Sequence, residues 1–199
     1  RVPYDRELFA QAGIDPARWR HLDDLREIPE LTRQDVIAAG PRLLAEGGSW
    51  LRFKGSTSGT TGRAMPGWRD RDAIAFEQAF VDRQAQWAGY RHGERRAWLR
   101  GDPVVPMAQS GGHLWRMNRA DNMLMLSSFH LKPENGAAYI EALERFDPVM
   151  LQAYPSSVSY LARWLEDHDR VYRGRALRCI VTSSETLSDV DRQVIAERF

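Results

Sequence analysis

The chain has 199 residues, of which 43% are hydrophobic and 28% are charged, which is enough apolar material for one substantial core. Its formal net charge is +1 and its basic residues form no stripe, which argues against nucleic-acid binding. No apolar run approaches the roughly 20 residues that span a bilayer, and a single cysteine, Cys179, excludes an internal disulfide. We therefore expect a cytoplasmic protein that binds neither nucleic acid nor membrane.

The first part of the chain carries the signals of short helices joined by turns. Asp15-Pro16 can cap and open one helix, and Thr32-Arg33-Gln34-Asp35 resembles a capping box for another. From residue 49 onward the pattern changes to the alternating, strand-like Trp50-Leu51-Arg52-Phe53. We predict a helical lead over residues 1–48 and a nucleotide-binding α/β domain over residues 49–199.

Helix and strand patterns alternate in the rest of the chain. Asp70 can cap a long helix that ends near Ala88, in which Phe76, Phe80 and Trp87 fall near one face. Strand patterns cover residues 96–100, 123–127, 149–153 and 177–182, and helix patterns cover residues 134–146 and 155–167. Ser188 can cap a last helix. This order predicts an α/β fold in which helices cover a mainly parallel sheet.

One stretch suggests a specific chemistry: Gly55-Ser56-Thr57-Ser58-Gly59-Thr60-Thr61-Gly62-Arg63. Its glycines permit close backbone approach to phosphate oxygens, its hydroxyl groups donate hydrogen bonds, and its arginine adds charge. A solvated turn has a similar composition, so the residue types alone leave both interpretations open. The spacing is not that of a Walker loop, because position 60 is a threonine and no lysine stands beside it.

The order of these residues closely resembles the serine-, threonine- and glycine-rich phosphate loop of the adenylate-forming superfamily. Residues 22–33 (LDDLREIPELTR), 151–157 (LQAYPSS) and 182–187 (TSSETL) narrow the resemblance to phenylacetate–coenzyme A ligases and their capsule-biosynthesis relatives. The likeness extends over nearly the whole chain. The family loop often ends in Gly-Lys-Pro, whereas Arg63 follows Gly62 here, which keeps the charge but changes its geometry.

The resemblance implies the front part of an ATP-dependent ligase, which activates a carboxylic acid as an acyl-adenylate and passes the acyl group to a thiol such as coenzyme A. In such an enzyme Ser56 to Arg63 would hold the phosphates of ATP, whose charge Mg²⁺ offsets. Ser183, Ser184 and Glu185 would line the adenine. The catalytic residues of the family would lie beyond Phe199, so we expect a fragment that does not complete adenylation.

Three further side chains are candidates for a substrate pocket. Tyr154 stands where a strand gives way to a helix, and the carboxyl edge of a sheet is where α/β proteins bind ligands. His130 follows another strand, and His113 lies in a segment with few secondary-structure signals. Packing explains Tyr154 equally well and explains the two histidines more simply, and Glu185 can also be a helix-leading carboxylate without a ligand.

Two other classes of function remain open beside the ligase. One is a nucleotide-binding or interaction module without catalysis, and the other is an adenylyltransferase that modifies a cofactor and never uses coenzyme A. A protein-built metal site is not expected, because the five histidines are scattered without the spacing of paired ligands.

Overall fold

The computed structural model describes residues 1–56 and 65–199, and the chain divides into two units. We name Arg1–Phe80 the lead unit and Val81–Phe199 the sheet unit. The division falls inside a helix, whereas the sequence indicated a change of pattern after residue 48. A domain boundary at that point in the intact protein stays a prediction.

The lead unit begins with short helices, as the capping signals indicated. Its α-helices are α1 (Pro3–Ala12) and α2 (Arg33–Ala39), and its 3₁₀ turns are Pro16–Arg18, Leu22–Glu27 and Gly40–Leu43. Thr32 and Asp35 form the predicted capping box, in which the Thr32 hydroxyl accepts from the Asp35 N–H at 3.2 Å. Asp15 accepts the N–H of Ala17 at 3.1 Å, but opens only a single 3₁₀ turn.

Two strands, β1 (Arg52–Ser56) and β2 (Pro66–Asp70), pair antiparallel in the lead unit. Strand β1 starts two residues later than the pattern indicated, and Trp50 before it is 92% exposed. The segment that joins the strands contains most of the predicted phosphate loop. Thr57, Ser58, Gly59, Thr60, Thr61, Gly62 and Arg63 lie outside the described residues.

Helix α3 (Arg71–Trp87) follows β2, and Asp70 caps it by accepting the N–H of Ala73 at 2.8 Å. The aromatic face that the sequence indicated is exposed, with Phe76 at 68%, Phe80 at 67% and Trp87 at 76%. None of the described helices has the length and apolarity needed to cross a bilayer.

A five-stranded sheet forms the centre of the sheet unit. Its strands are β3 (Arg96–Arg100), β4 (Trp115–Asn118), β5 (Met123–Ser127), β6 (Met150–Ala153) and β7 (Cys179–Thr182), in the spatial order β4-β5-β3-β6-β7. All neighbouring strands are parallel except β4, which runs antiparallel to β5. The sequence analysis did not indicate β4, because the apolar-polar alternation of Trp115-Arg116-Met117-Asn118 extends over only four residues. The predicted α/β fold with a mainly parallel sheet is confirmed.

Three helices complete the sheet unit: α4 (Gly136–Phe146), α5 (Pro155–Asp167) and α6 (Asp189–Arg198). The main core consists of side chains from the sheet and from these helices, among them Leu99, Leu126, Ile140 and Leu161 at 0% exposure. Helix α4 starts later than predicted, because residues 133–135 form a 3₁₀ turn instead. Cys179 is half-buried, since β7 lies at the edge of the described sheet.

Candidate functional site

The carboxyl ends of β3, β5, β6 and β7 meet at one edge of the sheet, because these four strands are parallel. Polar or aromatic residues follow the strand ends: Arg100 closes β3, Ser128 follows β5, Tyr154 follows β6, and Ser184 lies just after β7. Ligands of open α/β sheets bind outside the carboxyl ends of the strands. We call the cluster formed by Trp98, Arg100, Tyr154 and Ser184 the edge cluster.

The Arg100 guanidinium connects the members of the edge cluster. Its Cζ lies 4.9 Å from the centre of the Trp98 ring and 5.2 Å from the centre of the Tyr154 ring, within the range of cation–π attraction. One of its terminal nitrogens donates to the Ser184 hydroxyl at 2.9 Å. The Trp98 indole is itself fixed by donating to the Asp102 carboxylate at 2.5 Å. A rigid cation therefore stands at the edge where ligands are expected.

Gly101 makes room for the Tyr154 ring. A Cβ atom at position 101 would lie 3.1 Å from the Tyr154 hydroxyl oxygen and 3.2 Å from a ring carbon. The Tyr154 backbone N–H donates to the Leu99 carbonyl at 3.2 Å, which holds the start of α5 against the end of β3. The sequence singled out Tyr154, and the structure places it directly beside the cation.

The residues predicted to line the adenine lie on the exposed loop after β7. Ser184 adopts a left-handed backbone with φ of 72°, which is uncommon for a residue with a side chain. Glu185 accepts the backbone N–H of Ser156 at 2.9 Å and so caps the first turn of α5. Glu185 therefore caps α5 rather than the helix that follows it in the chain, and its role at the nucleotide stays a prediction.

His130 is buried behind the edge, with 5% exposure. Its Nδ1 lies 2.7 Å from the Ser127 hydroxyl, while its Nε2 is buried without a hydrogen-bond partner among the described residues. The Tyr139 hydroxyl donates to the Ser127 carbonyl at 2.6 Å, and burial raises the Tyr139 pKa. Ser128 connects this group to the edge cluster, because its hydroxyl donates to the Arg100 carbonyl at 2.8 Å.

His113 is exposed on the loop before β4. Its ring lies 4.9 Å from the Trp115 ring, and its carbonyl accepts from Gln109 and Arg116, each at 3.1 Å. Trp115 in turn packs edge-on against Tyr139 at 6.3 Å. Through Trp115, His113 therefore packs towards Tyr139. Among the described residues, no ring contact or hydrogen bond joins His113 to the edge cluster.

A cleft of about 320 Å³ lies elsewhere in the sheet unit, between β7 and α6. Leu177, Cys179, Ile180, Leu187 and Ile195 give it a mainly apolar lining. The edge cluster is the better candidate for a site, because it combines a cation, aromatic faces and hydroxyl groups at the ligand-binding edge.

Sequence reasoning missed Arg100, the residue that joins the other candidates. The available signal was an arginine at the last position of an apolar strand, directly before Gly101. With arginine so frequent in this chain, its position became informative only once the neighbouring strands were known. The structure describes no group of three or more His, Cys, Asp or Glu side chains that could hold a metal ion.

Comparison with known proteins agrees with the resemblance seen in the motifs. The chain is 27% identical to Protein CapK of Staphylococcus aureus over 176 residues, which make up 88% of this chain and 39% of CapK. It is 35% identical over 95 residues to the phenylacetate-coenzyme A ligase of Thermus thermophilus, covering 47% of this chain and 21% of that ligase. The chain is therefore similar to both proteins over part of their length.

Solved structures of a 2-hydroxyisobutyryl-CoA ligase have the same fold as this chain. A 2-hydroxyisobutyryl-CoA ligase in its postadenylation state, in complex with 2-HIB-AMP, matches 98% of this chain with a TM-score of 0.66 at 19% identity. Its open conformation, in complex with 2-HIB-AMP and CoA, matches with a TM-score of 0.62. These matches cover 42% and 47% of the ligase chains, and the match to CapK covers 39% of CapK, so the chain spans less than half the length of each of these proteins. No protein-family model matches the chain.

Proposed function

We propose that the protein containing this chain is an ATP-dependent acid–thiol ligase, which activates an aryl or alkyl carboxylic acid as an acyl-adenylate and transfers the acyl group to a thiol such as coenzyme A. The relationship to CapK and to a phenylacetate-coenzyme A ligase carries this proposal. The edge cluster supports it, because an anionic nucleotide and an anionic acid both favour a fixed cation with aromatic neighbours.

The proposed residues divide into three groups by the part of the reactants that they would contact. Ser56 to Arg63 would bind the phosphates of ATP through backbone N–H groups, hydroxyl groups and the arginine. Ser183, Ser184 and Glu185 would line the adenine. Tyr154, His130 and His113 are the proposed acid-pocket residues. Tyr154 lies in the edge cluster, and His130 contacts the hydroxyl of Ser127, the residue before Ser128, which donates to the Arg100 carbonyl.

The chemistry consists of two group transfers. A carboxylate oxygen attacks the α-phosphorus of ATP, the bond to the pyrophosphate oxygen breaks, and pyrophosphate leaves. A thiolate then attacks the acyl carbon, and AMP leaves with the bonding electrons. Fixed donors accelerate such steps when they face the charge that develops in the transition state. Mg²⁺ would arrive with the ATP phosphates, which suits its preference for phosphate oxygens and water over a cage of protein ligands.

The test of the proposed function is carboxylate-dependent exchange of labelled pyrophosphate into ATP, across a panel of aryl and alkyl acids. We expect exchange with at least one acid, and formation of a thioester when coenzyme A is added. Exchange without thioester formation would favour the cofactor adenylyltransferase. Nucleotide binding without exchange would favour the non-catalytic module and would contradict the ligase.

The phosphate loop is tested in the same assay. Gly59→Val would block close backbone approach, and Thr60→Val would remove one hydroxyl donor; we expect each to lower exchange by the equivalent of about 1–3 kcal/mol. Gly111→Ala is a suitable control, since an added Cβ there meets no atom within 4 Å. Unchanged exchange in both loop variants would contradict the assignment of the loop.

We further propose that the 199 residues by themselves do not complete adenylation. They span 39% of CapK, and donors that act on the α-phosphorus would come from the remainder of a protein of that length. Loss of one well-placed donor typically lowers the rate by about 10²–10³. The test compares pyrophosphate exchange by the isolated chain with exchange by a longer protein that contains it. Robust exchange by the isolated chain would show that the catalytic groups lie within these 199 residues.

A further inference from the structure

The charge of Arg100 has no acidic partner among the described residues. Other arginines of the sheet unit do lie near carboxylates, in the pairs Arg95–Asp147, Arg96–Asp121, Arg163–Asp191, Arg170–Glu144, Arg178–Glu94 and Arg198–Glu166. Arg100 is half-buried, and its Nε is fully buried without a hydrogen-bond partner in the described part of the chain. A cation withdrawn from water is favourable only where an opposite charge or sufficient hydrogen bonds compensate it.

The guanidinium is also held in a fixed orientation. Contacts with the Trp98 and Tyr154 rings and a hydrogen bond to Ser184 restrict it from three directions. An arginine that is already ordered loses little conformational entropy when it binds a carboxylate or phosphate, so the arrangement favours binding. Ser184 keeps its hydroxyl at the guanidinium with a left-handed backbone, the kind of local strain that occurs at binding sites.

A second buried polar group without a partner among the described residues lies on the same face of the sheet as this cation. Gln152 is 6% exposed, and its Oε1 has no hydrogen-bond partner among the described residues. It stands opposite Trp98 in the pairing of β3 with β6, and side chains two residues apart on a strand share a face, so Trp98, Arg100 and Gln152 belong to one face of the sheet. An unmatched donor and an unmatched acceptor on one face are the pattern that a polar ligand completes.

We propose that Arg100 is a specificity-determining residue of the proposed ligase, which binds an anionic oxygen group of a reactant at the carboxyl edge of the sheet. The group is a phosphate or a carboxylate, supplied either by the nucleotide or by the acid. This inference rests on the proposed function, and it adds the residue that selects charged over neutral ligands at this edge.

The experiment measures equilibrium binding of two matched pairs of probes to the protein that contains this chain. The nucleotide pair is AMP and adenosine, and the acid pair is phenylacetate and phenylacetamide. In each pair the second probe lacks the anionic group. We compare the wild-type protein with Arg100→Gln, which removes the charge, and Arg100→Lys, which keeps the charge without the planar fork. Arg145→Gln is the control, because Arg145 is an exposed arginine outside the edge cluster.

We expect Arg100→Gln to weaken one anionic probe by at least about tenfold while its neutral partner changes less than about twofold, as loss of a charge-assisted hydrogen bond predicts. The affinity of Arg100→Lys for the anionic probe should lie between those of wild type and Arg100→Gln. The affinities of Arg145→Gln should match those of wild type. If Arg100→Gln loses the preference for the anionic probe only in the nucleotide pair, the bound group is a phosphate. If it loses that preference only in the acid pair, the bound group is a carboxylate.

Equal changes for the anionic and neutral probes, or no change in either pair, would overturn the proposal and leave Arg100 with a packing role. If Arg100→Gln does not fold, the comparison of wild type with Arg100→Lys decides, since equal effects on charged and neutral probes would again overturn it. Wild-type protein that binds no anionic probe more tightly than its neutral partner also overturns it. Pyrophosphate exchange by wild-type protein tests the ligase separately, so the two failures are distinguishable.

Discussion

The two units of the chain differ in what holds them together. Among the described residues of the lead unit, Ala39 is the only hydrophobic side chain that is buried, whereas Leu22 is 85% and Trp50 92% exposed. In the sheet unit, side chains such as Leu99 and Leu161 are fully buried in one continuous core. Burial of apolar area is the dominant favourable contribution to folding, so the sheet unit carries most of the intrinsic stability.

The lead unit relies on local hydrogen bonds instead. The Asp24 carboxylate accepts the backbone N–H groups of His21 and Arg20, and these bonds lower the Asp24 pKa. Asp35 and Thr32 form a similar reciprocal arrangement. Such motifs depend on residues close in sequence, so they specify local turns well and contribute little to global stability. The comparison leads to four predictions, in order of decreasing effect.

The largest effect is expected in the core of the sheet unit. Leu161→Ala should lower the free energy of unfolding by about 2–5 kcal/mol, because it leaves a cavity at a position with 0% exposure. Leu22→Ala, at 85% exposure in the lead unit, should change it by less than about 0.5 kcal/mol. Urea unfolding followed by far-UV circular dichroism measures both. Similar losses for the two variants would contradict the difference between the units.

An added methyl group at the start of α4 should have the next largest effect. Gly136 has ordinary helical dihedral angles, so an alanine there is not strained by backbone conformation. Its Cβ would, however, overlap the Trp164 indole, which is 9% exposed and stacked on the His168 ring at 4.0 Å. We expect Gly136→Ala to lower the free energy of unfolding by about 1–3 kcal/mol, as overpacking does.

The control for Gly136→Ala is Gly111→Ala, whose Cβ would meet nothing within 4 Å. Urea unfolding gives the stability of both variants, and near-UV circular dichroism reports on the tryptophan environment. Native-like stability of Gly136→Ala would show that the Trp164 ring moves aside at low cost.

The features that the sequence predicted are those set by neighbouring residues or by strand and helix periodicity. The capping residues Thr32, Asp70 and Ser188 all act as expected, because a cap involves backbone groups only two or three residues away. The alternation of strands and helices gave the mainly parallel sheet. The antiparallel strand β4 escaped prediction because pairing with β5, rather than its own composition, makes it a strand.

The edge cluster was only partly predictable for a similar reason. Tyr154 and Ser184 were found because they follow strand signals and resemble family motifs. Arg100 was not found, because its role depends on a hydrogen bond to Ser184, which lies 84 positions further along the chain. Likewise, the exposed fractions of Phe76 and Phe80 do not follow from helical periodicity, which indicates a shared face without saying what covers it.

A smaller and pH-dependent effect is expected where α5 meets α6. Asp191 accepts hydrogen bonds from Ser159 at 2.5 Å, from Ser188 at 2.6 Å and from Arg163 at 2.9 Å, which together lower its pKa to about 2 from 3.8. Because the folded state favours the charged carboxylate, this contribution is complete above about pH 3.8 and disappears as the pH falls to about 2.

Titration of the Asp191 carboxyl carbon by NMR measures this pKa directly. The stability advantage of wild type over Asp191→Asn should also shrink as the pH is lowered through the same range. A titration midpoint near the ordinary value, or an advantage that does not depend on pH, would show that the three hydrogen bonds do not favour the charged form.

The smallest effect is expected from an ion pair on the surface of the lead unit. Arg6 and Glu46 approach to 2.8 Å, but both side chains are 61% exposed, so water screens their attraction. The backbone also joins this part of the chain independently, since the Glu46 N–H donates to the Arg1 carbonyl at 2.7 Å. A double-mutant cycle with Arg6→Ala and Glu46→Ala should therefore give a coupling of about 0–1 kcal/mol. In 1 M salt, where the screening length is about 3 Å, the coupling should vanish. A coupling well above 1 kcal/mol that persists in salt would mean that side-chain pairs, rather than local backbone hydrogen bonds, hold the lead unit together.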